Sequence, residues 1–158
     1  MAAKLTADMR RVVTEQRLAY VATVCPDGTP NLSPKGTIAV WDDEHLVFAD
    51  IRSPGTIANL KTNPAVEINV VDPFVRKGYR FKGTGEVIVE GERFQEIMRF
   101  YRGGWGDTAR SKESRVRGFV LVKVETALPL ISPAYDDGSD EVSIRRYWVS
   151  YFSRLNER

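Results

Sequence analysis

One short polar segment carries side chains that could bind an anion. Residues 46–49 are apolar and run through Arg52 into Ser53, which precedes a proline. Serine is a favoured N-cap residue and proline is tolerated at the first helical position, so the pattern predicts a helix that begins here. Backbone amides at the helix start, the Ser53 and Thr56 hydroxyls and the Arg52 guanidinium would then converge, which suits a phosphate group. The same residues are also explained by a capped connecting helix that binds nothing.

A second polar segment lies earlier, within an extended pattern over residues 30–41. Side chains alternate between the two faces of a strand, so Ser33, Lys35 and Thr37 would point the same way. Beside the predicted helix start, Lys35 could hydrogen-bond a carbonyl or the anionic edge of a ring, and Gly36 would let a flat ring approach the backbone. An ordinary solvated strand with a proline near its edge explains the same pattern.

The sequence offers no arrangement for nucleophilic catalysis or for a metal. Serine and cysteine hydrolases need a histidine base beside the nucleophile, and the one histidine, His45, lies in a turn over residues 42–45. The one cysteine, Cys25, precedes a proline in another turn, with no evident cation to activate it. We interpret His45 as an exposed hairpin residue and Cys25 as a small strand-end residue. We therefore predict no catalytic side chain and no metal site.

Length and composition narrow the class of protein. A chain of 158 residues suits one domain, residues 1–158, with a sizeable core. Lys and Arg number 23 against 21 for Asp and Glu, and no dense basic block occurs, so we expect no nucleic-acid partner. No apolar run approaches the about 20 residues of a membrane span, so we expect no membrane association. A single cysteine, which cannot form an internal disulfide, fits a reducing cytoplasm.

The elements that would position these side chains are mainly strands. Apolar runs and alternation predict at least six of them, joined mostly by short turns, with helices over residues 6–16, 54–60 and 92–101 at the edges. This order favours a mainly β antiparallel barrel with peripheral helices over a doubly wound sheet. Arg80 and Lys82 share one face of a long strand over residues 78–89. We expect both side chains to be exposed, unless that face turns inward and brings them into contact with a ligand. The last clear strand is predicted over residues 119–124, and residues 127–158 form a C-terminal extension.

At this point the chain resembles the FMN-binding split-barrel proteins related to pyridoxamine 5'-phosphate oxidase. The resemblance lies in the order and spacing of five segments, residues 22–24, 27–36, 52–60, 63–66 and 81–85, and covers roughly residues 6–126. It implies an antiparallel six-stranded split β-barrel, a homodimer, and FMN bound at the subunit interface.

The resemblance also assigns roles to residues. The FMN phosphate would be held at the short helix by Arg52, Ser53 and Thr56. The isoalloxazine ring would lie along Ser33, Lys35, Gly36 and Thr37, with Asp50 nearby and Lys82 as a further contact. Many relatives have a lysine in the phosphate helix, where this chain has Thr56. The Arg-Leu-Ala-Pro signature of the true oxidases is also missing, since residues 153–158 read Ser-Arg-Leu-Asn-Glu-Arg.

Three functional hypotheses with a bound cofactor remain open at the level of sequence, beside a fourth in which the barrel has an empty pocket and serves assembly. The first is a cytoplasmic, homodimeric FMN-dependent oxidoreductase acting on a small molecule other than pyridoxamine phosphate, in which the flavin does the chemistry. The second is a reductase of the same fold that uses the deazaflavin F420, whose long anionic tail would need more basic residues along the groove. The third is a non-catalytic module that stores or senses a flavin.

Overall fold

A curled antiparallel sheet of seven strands forms the centre of the computed structural model, which describes residues 4–105 and 112–157 except the Trp105 side chain. The strands are β1 (Ala19–Val24), β2 (Pro30–Lys35), β3 (Ala39–Val40), β4 (His45–Asp50), β5 (Ala65–Asp72), β6 (Lys77–Ile88) and β7 (Gly118–Ile131). Their order in the sheet is β2-β1-β5-β6-β7-β4-β3. Four helices have their bounds within the described residues, namely α1 (Ala7–Gln16), α2 (Pro54–Thr62), α3 (Gly91–Trp105) and α4 (Glu141–Asn156), with a 3-10 turn at Pro133–Tyr135.

The two long strands, β6 and β7, join the halves of the sheet. β6 pairs with β5 on one side and with β7 on the other, and β7 continues the sheet to β4. The register of β6 against β7 shifts between Lys82 and Gly83, which marks a β-bulge or irregularity in this strand pair. A Cβ at Gly83 would lie 1.8 Å from the Lys123 carbonyl oxygen, so this close approach of the strands requires glycine.

Apolar side chains pack on both sides of the sheet. The inner cluster contains Phe48, Ile68 and Phe81, and α1 closes one end of it with Val12 and Val13. The other cluster lies between α3 and the outward side of β4 and β7; it contains Val47, Ile97, Met98, Tyr101 and Phe119. Alternation along β4 divides its residues between the two clusters, as a strand buried on both faces requires. The sequence-based prediction of a mainly β split barrel with peripheral helices is thus confirmed, with seven strands in place of six.

The additional strand arises within residues 30–41, which we predicted as one extended segment. The chain instead forms β2, turns at Gly36 and Thr37, and resumes as the two-residue β3. A second difference concerns β7, which does not stop near Val124 but runs to Ile131 beside β6. Residues 127–131, the start of the expected C-terminal extension, therefore belong to the sheet.

Helix α4 follows the sheet and packs against the turn between β5 and β6. Its N-cap is Asp140, whose carboxylate accepts from the Ser143 amide at 2.7 Å. Phe152 contacts Phe74 edge-to-face at 5.7 Å between ring centroids, and the Arg76 guanidinium lies 3.5 Å from the Trp148 ring centroid. None of the described helices has the length and apolarity needed to cross a membrane.

Candidate functional site

The beginning of α2 differs from the prediction in which side chain stabilises it. Ser53 is the N-cap residue of α2, as predicted, but its hydroxyl forms no capping bond with the helix, so the expected side-chain cap is wrong. Instead, the Ser53 amide donates to the buried Asp50 carboxylate at 3.0 Å, and the Ser53 carbonyl accepts from the Ile57 amide at 3.1 Å. Asp50 therefore fixes the backbone, while the half-buried Ser53 hydroxyl is not used to cap α2. Arg52 is exposed and forms no ion pair with a carboxylate of the described residues.

Thr56 lies against the sheet and not at an open helix start. It is 2% exposed, and its hydroxyl accepts from the Asn31 side-chain amide at 3.3 Å. The same amide group lies 3.2 Å from the Thr23 hydroxyl, which also accepts from Asn59 at 3.0 Å. These four residues attach α2 to β1 and β2. Sequence reasoning missed the structural roles of Asn31, Thr23 and Asn59, although a polar side chain on the inward face of each strand was a usable signal.

Ser33 and Lys35 share the inner face of β2, as the alternation predicted. Lys35 is 4% exposed, and its ammonium donates to the Ser33 hydroxyl at 2.5 Å. Its nitrogen lies 5.8 Å from the centroid of the Phe48 ring. Burial lowers the pKa of Lys35 below its ordinary value, and the nearby Asp50 carboxylate offsets part of that effect. A buried, hydrogen-bonded cation therefore lies on the same side of the sheet as Asp50.

Gly36 and Thr37 lie in the turn after β2. The prediction that Thr37 shares the strand face of Ser33 and Lys35 is therefore wrong. The Thr37 hydroxyl accepts from the Ala49 amide at 2.9 Å, and the Thr37 carbonyl accepts from the Tyr101 hydroxyl at 2.5 Å. Burial raises the pKa of Tyr101 far above its ordinary value, so the phenol stays protonated and remains a donor. The turn is thereby fixed both to β4 and to α3.

Lys82 lies on the opposite side of the sheet from Ser33 and Lys35 of the same chain. It is directly across from Glu67 on β5, and its ammonium lies 3.2 Å from the Glu67 carboxylate. Glu67 pairs with Ala22 of β1, and Ala22 pairs with Leu32 of β2, so Leu32 lies on the same side of the sheet as Lys82. Ser33, the next residue in β2, points to the other side. Within one chain, then, Lys82 is not brought together with the other candidate residues.

An open groove of about 850 Å³ adjoins this constellation. It shares Gly36 and Thr37 with the predicted site and reaches Ile51, between Asp50 and Arg52. Its other described lining residues come from α1, β3, α3 and the segment before β7; they are Thr14, Arg17, Ile38, Ala39, Val40, Phe100, Tyr101, Gly104, Lys112 and Arg115. The groove thus has the size and mixed polar and apolar lining of a small-molecule site.

The two residues that we excluded from catalysis have structural partners. His45 is half-buried and not exposed as expected, and its Nδ1 lies 2.8 Å from the Asp42 carboxylate at the start of β4. The Cys25 sulfur is 3.5 Å from the Asn59 side-chain amide. Neither residue lines the groove.

The outward side of the first half of the sheet exposes large apolar side chains. Tyr20, Leu32 and Leu128 are 49%, 66% and 48% exposed, and they come from β1, β2 and β7. The registers place them on the same side as the Glu67 and Lys82 pair. Isolated exposed apolar residues are common, and these three share one sheet face with the charged pair.

Comparisons with known proteins agree on the fold. Residues 5–128 match the family model described as "Pyridoxamine 5'-phosphate oxidase". HupZ of Group A Streptococcus is 31% identical, with a TM-score of 0.69 over 80% of this chain and 94% of that chain. An FMN-binding protein of Syntrophomonas wolfei is 19% identical, with a TM-score of 0.63 over 79% of this chain and 85% of that one. An uncharacterized protein of Methanocaldococcus jannaschii is 28% identical over 77% of both chains.

Proposed function

Since the chain belongs to the pyridoxamine 5'-phosphate oxidase family, we propose that it binds FMN and works as an FMN-dependent oxidoreductase. The observation that carries this proposal is the start of α2. Asp50 holds the Ser53 backbone, the Ser53 hydroxyl makes no capping bond, and the Arg52 guanidinium is exposed beside it without an ion pair among the described residues. Hydroxyl, guanidinium and first-turn amides together are donors for a phosphate dianion.

The remaining site residues suit the other parts of the cofactor. Lys35 holds a buried positive charge near Asp50, which fits the polar edge of a flavin ring. The turn at Gly36 and Thr37, fixed by Tyr101 and Ala49, offers a rigid backbone edge to the same ring. Thr56 acts indirectly, because its bond with Asn31 holds α2 in place. Bound FMN would supply hydride or electron transfer, so no protein nucleophile is required.

We also propose that two copies of the chain associate, with the cofactor at their interface. The support is the outward sheet face with Tyr20, Leu32 and Leu128, since homodimer interfaces are more apolar than the remaining surface. In a two-fold dimer the same face of each copy meets the other. Lys82 of each copy would then lie at the interface, where it could approach the cofactor of the other copy although it is remote from Lys35 in its own chain.

We place the protein in the cytoplasm. Its electron donor and electron acceptor are to be found by assays of turnover. Pyridoxamine phosphate is not the proposed substrate, because residues 1–158 contain no Arg-Leu-Ala-Pro signature. Turnover separates an enzyme from a binding module. The FMN-bound protein should oxidise a nicotinamide donor or reduce an acceptor faster than the same concentration of free FMN does.

Calorimetric titration of the cofactor-free protein with FMN, riboflavin and F420 tests the cofactor. We expect FMN to bind more tightly than riboflavin, because riboflavin lacks the phosphate that Arg52 and Ser53 would hold. Tighter binding of F420 than of FMN would replace the cofactor in this proposal with the deazaflavin. Absence of binding by all three compounds would contradict a flavin function altogether.

A further inference from the structure

We propose that the groove beside residues 36–40 binds an anionic small molecule with an apolar body, held by Arg17 and Arg115. The inference rests on the proposed function in one respect: the molecule would be the reaction partner of the flavin. The groove shares Gly36 and Thr37 with the residues proposed to contact the flavin ring, so a molecule there would lie next to it.

The charged residues among the described groove lining are all basic. Arg17, Lys112 and Arg115 line it, and no carboxylate is found among its described lining residues. Neither Arg17 nor Arg115 forms an ion pair within the described part of the chain. Five other arginines do pair with carboxylates, and the remaining described arginines without an ion pair lie outside the groove lining; the five are Arg10, Arg11, Arg80, Arg102 and Arg145. In a chain whose net charge is only +2, two unneutralised guanidinium groups on one groove favour an anionic ligand.

The other lining residues favour a ligand whose uncharged part is apolar. Ile38, Val40, Ile51 and Phe100 supply apolar and aromatic surface. Tyr101, the phenol among the described lining residues, already donates its proton to the Thr37 carbonyl and therefore contributes a rigid wall. A volume of about 850 Å³ is within the usual range for drug-sized ligands. A carboxylate, sulfonate or phosphate on an aromatic or branched apolar body fits this combination better than a sugar or a polyamine would.

Arg17 lies at this groove in a backbone conformation that is uncommon for residues other than glycine. Arg17 is the C-cap of α1 and adopts the left-handed conformation, with φ of 51°, where glycine or asparagine is the common choice. Its carbonyl oxygen lies 3.9 Å from where a Cβ of Gly36 would be, so the two residues are neighbours. Replacement of Arg17 by glycine would remove the guanidinium and relax the backbone, which makes Arg17→Gly a suitable test variant.

The test uses two fluorescent probes that differ in one charge. The anionic probe is 1-anilinonaphthalene-8-sulfonate, and the neutral one is N-phenyl-1-naphthylamine, which lacks the sulfonate. Each is titrated into the FMN-bound and into the cofactor-free protein, and FMN binding is measured separately by quenching of flavin fluorescence. The variants are Arg17→Gly and Arg115→Ala, and the control is Arg99→Ala, which removes an exposed arginine of α3 outside the groove lining.

We expect the anionic probe to bind about tenfold more weakly to each groove variant, since each loses a charge-assisted contact, and equally to the control. The neutral probe should bind all four proteins alike. Equal affinity of the anionic probe for all four would overturn the inference, and so would displacement of the probe by FMN, because the groove would then hold the flavin ring. If FMN fails to bind while the anionic probe still depends on both arginines, the proposed function fails and the anion site stands.

Discussion

The Arg52→Ala substitution tests how the start of α2 contributes to cofactor binding. Arg52 is exposed and has no ion pair within the described residues, so its removal should change the free energy of unfolding by less than about 0.5 kcal/mol. A hydrogen bond to a charged group contributes about 1.5–3 kcal/mol, and solvent exposure favours the lower part of that range. A loss of about 1.5–2 kcal/mol corresponds to a dissociation constant for FMN that is about 10- to 30-fold higher.

The assay is a titration of cofactor-free protein followed by flavin fluorescence. Riboflavin is titrated in parallel, and its affinity should not change, because it carries no phosphate. Lys61→Ala is the matched control, since Lys61 is an exposed cation in the last turn of the same helix, opposite the proposed phosphate site. Arg52→Lys should recover only part of the affinity, because an ammonium cannot form a bidentate pair with phosphate. If Arg52→Ala and Lys61→Ala changed FMN affinity equally, the role assigned to Arg52 would be refuted.

Three further predictions follow from buried and exposed side chains. Lys35→Met should weaken FMN binding yet raise the free energy of unfolding in urea by about 1 kcal/mol near neutral pH. Because burial lowers the folded-state pKa of Lys35, the destabilising effect of its charge fades as the pH rises toward 10.5, and the gain from methionine should fade with it. An equal gain at all pH values would contradict a buried, charged Lys35. Leu32→Arg should convert dimer to monomer in light scattering, whereas Val142→Arg, at the same 66% exposure, should not; a dimer that persists would place the interface elsewhere. Asn59→Ala should lower the free energy of unfolding by about 0.5–1.5 kcal/mol, because the buried Thr23 hydroxyl loses one of its two amide donors and keeps only Asn31, and urea denaturation with no change would contradict this.

The sequence predicts the strands best where burial alternates. Val66, Ile68 and Val70 are all buried in β5, and the intervening residues are not. Residues 125–131 gave no such signal, because this half of β7 is largely exposed and is stabilised by its backbone pairing with β6. The break at Gly36 and Thr37 was missed for the opposite reason. Apolar residues continue at 38–40, so the pattern does not show that the chain turns.

The site shows the same limit at the level of single side chains. Alternation within a strand correctly placed Ser33 and Lys35 together, because it depends only on local geometry. It could not show that Lys82 faces the other way, since that depends on register across three further strands. Nor could N-cap preference show that Asp50, three residues before Ser53, holds the backbone at the helix start, because that bond requires the turn between β4 and α2 to be formed.

The most direct test of flavin binding is the absorption spectrum of the freshly purified protein, followed by heat release and identification of any chromophore. The proposed function predicts a yellow protein that releases FMN in a stoichiometric amount. A colourless protein that also fails to bind added FMN or F420 would contradict it, and Arg52 and Ser53 would then belong to a helix start that binds no cofactor.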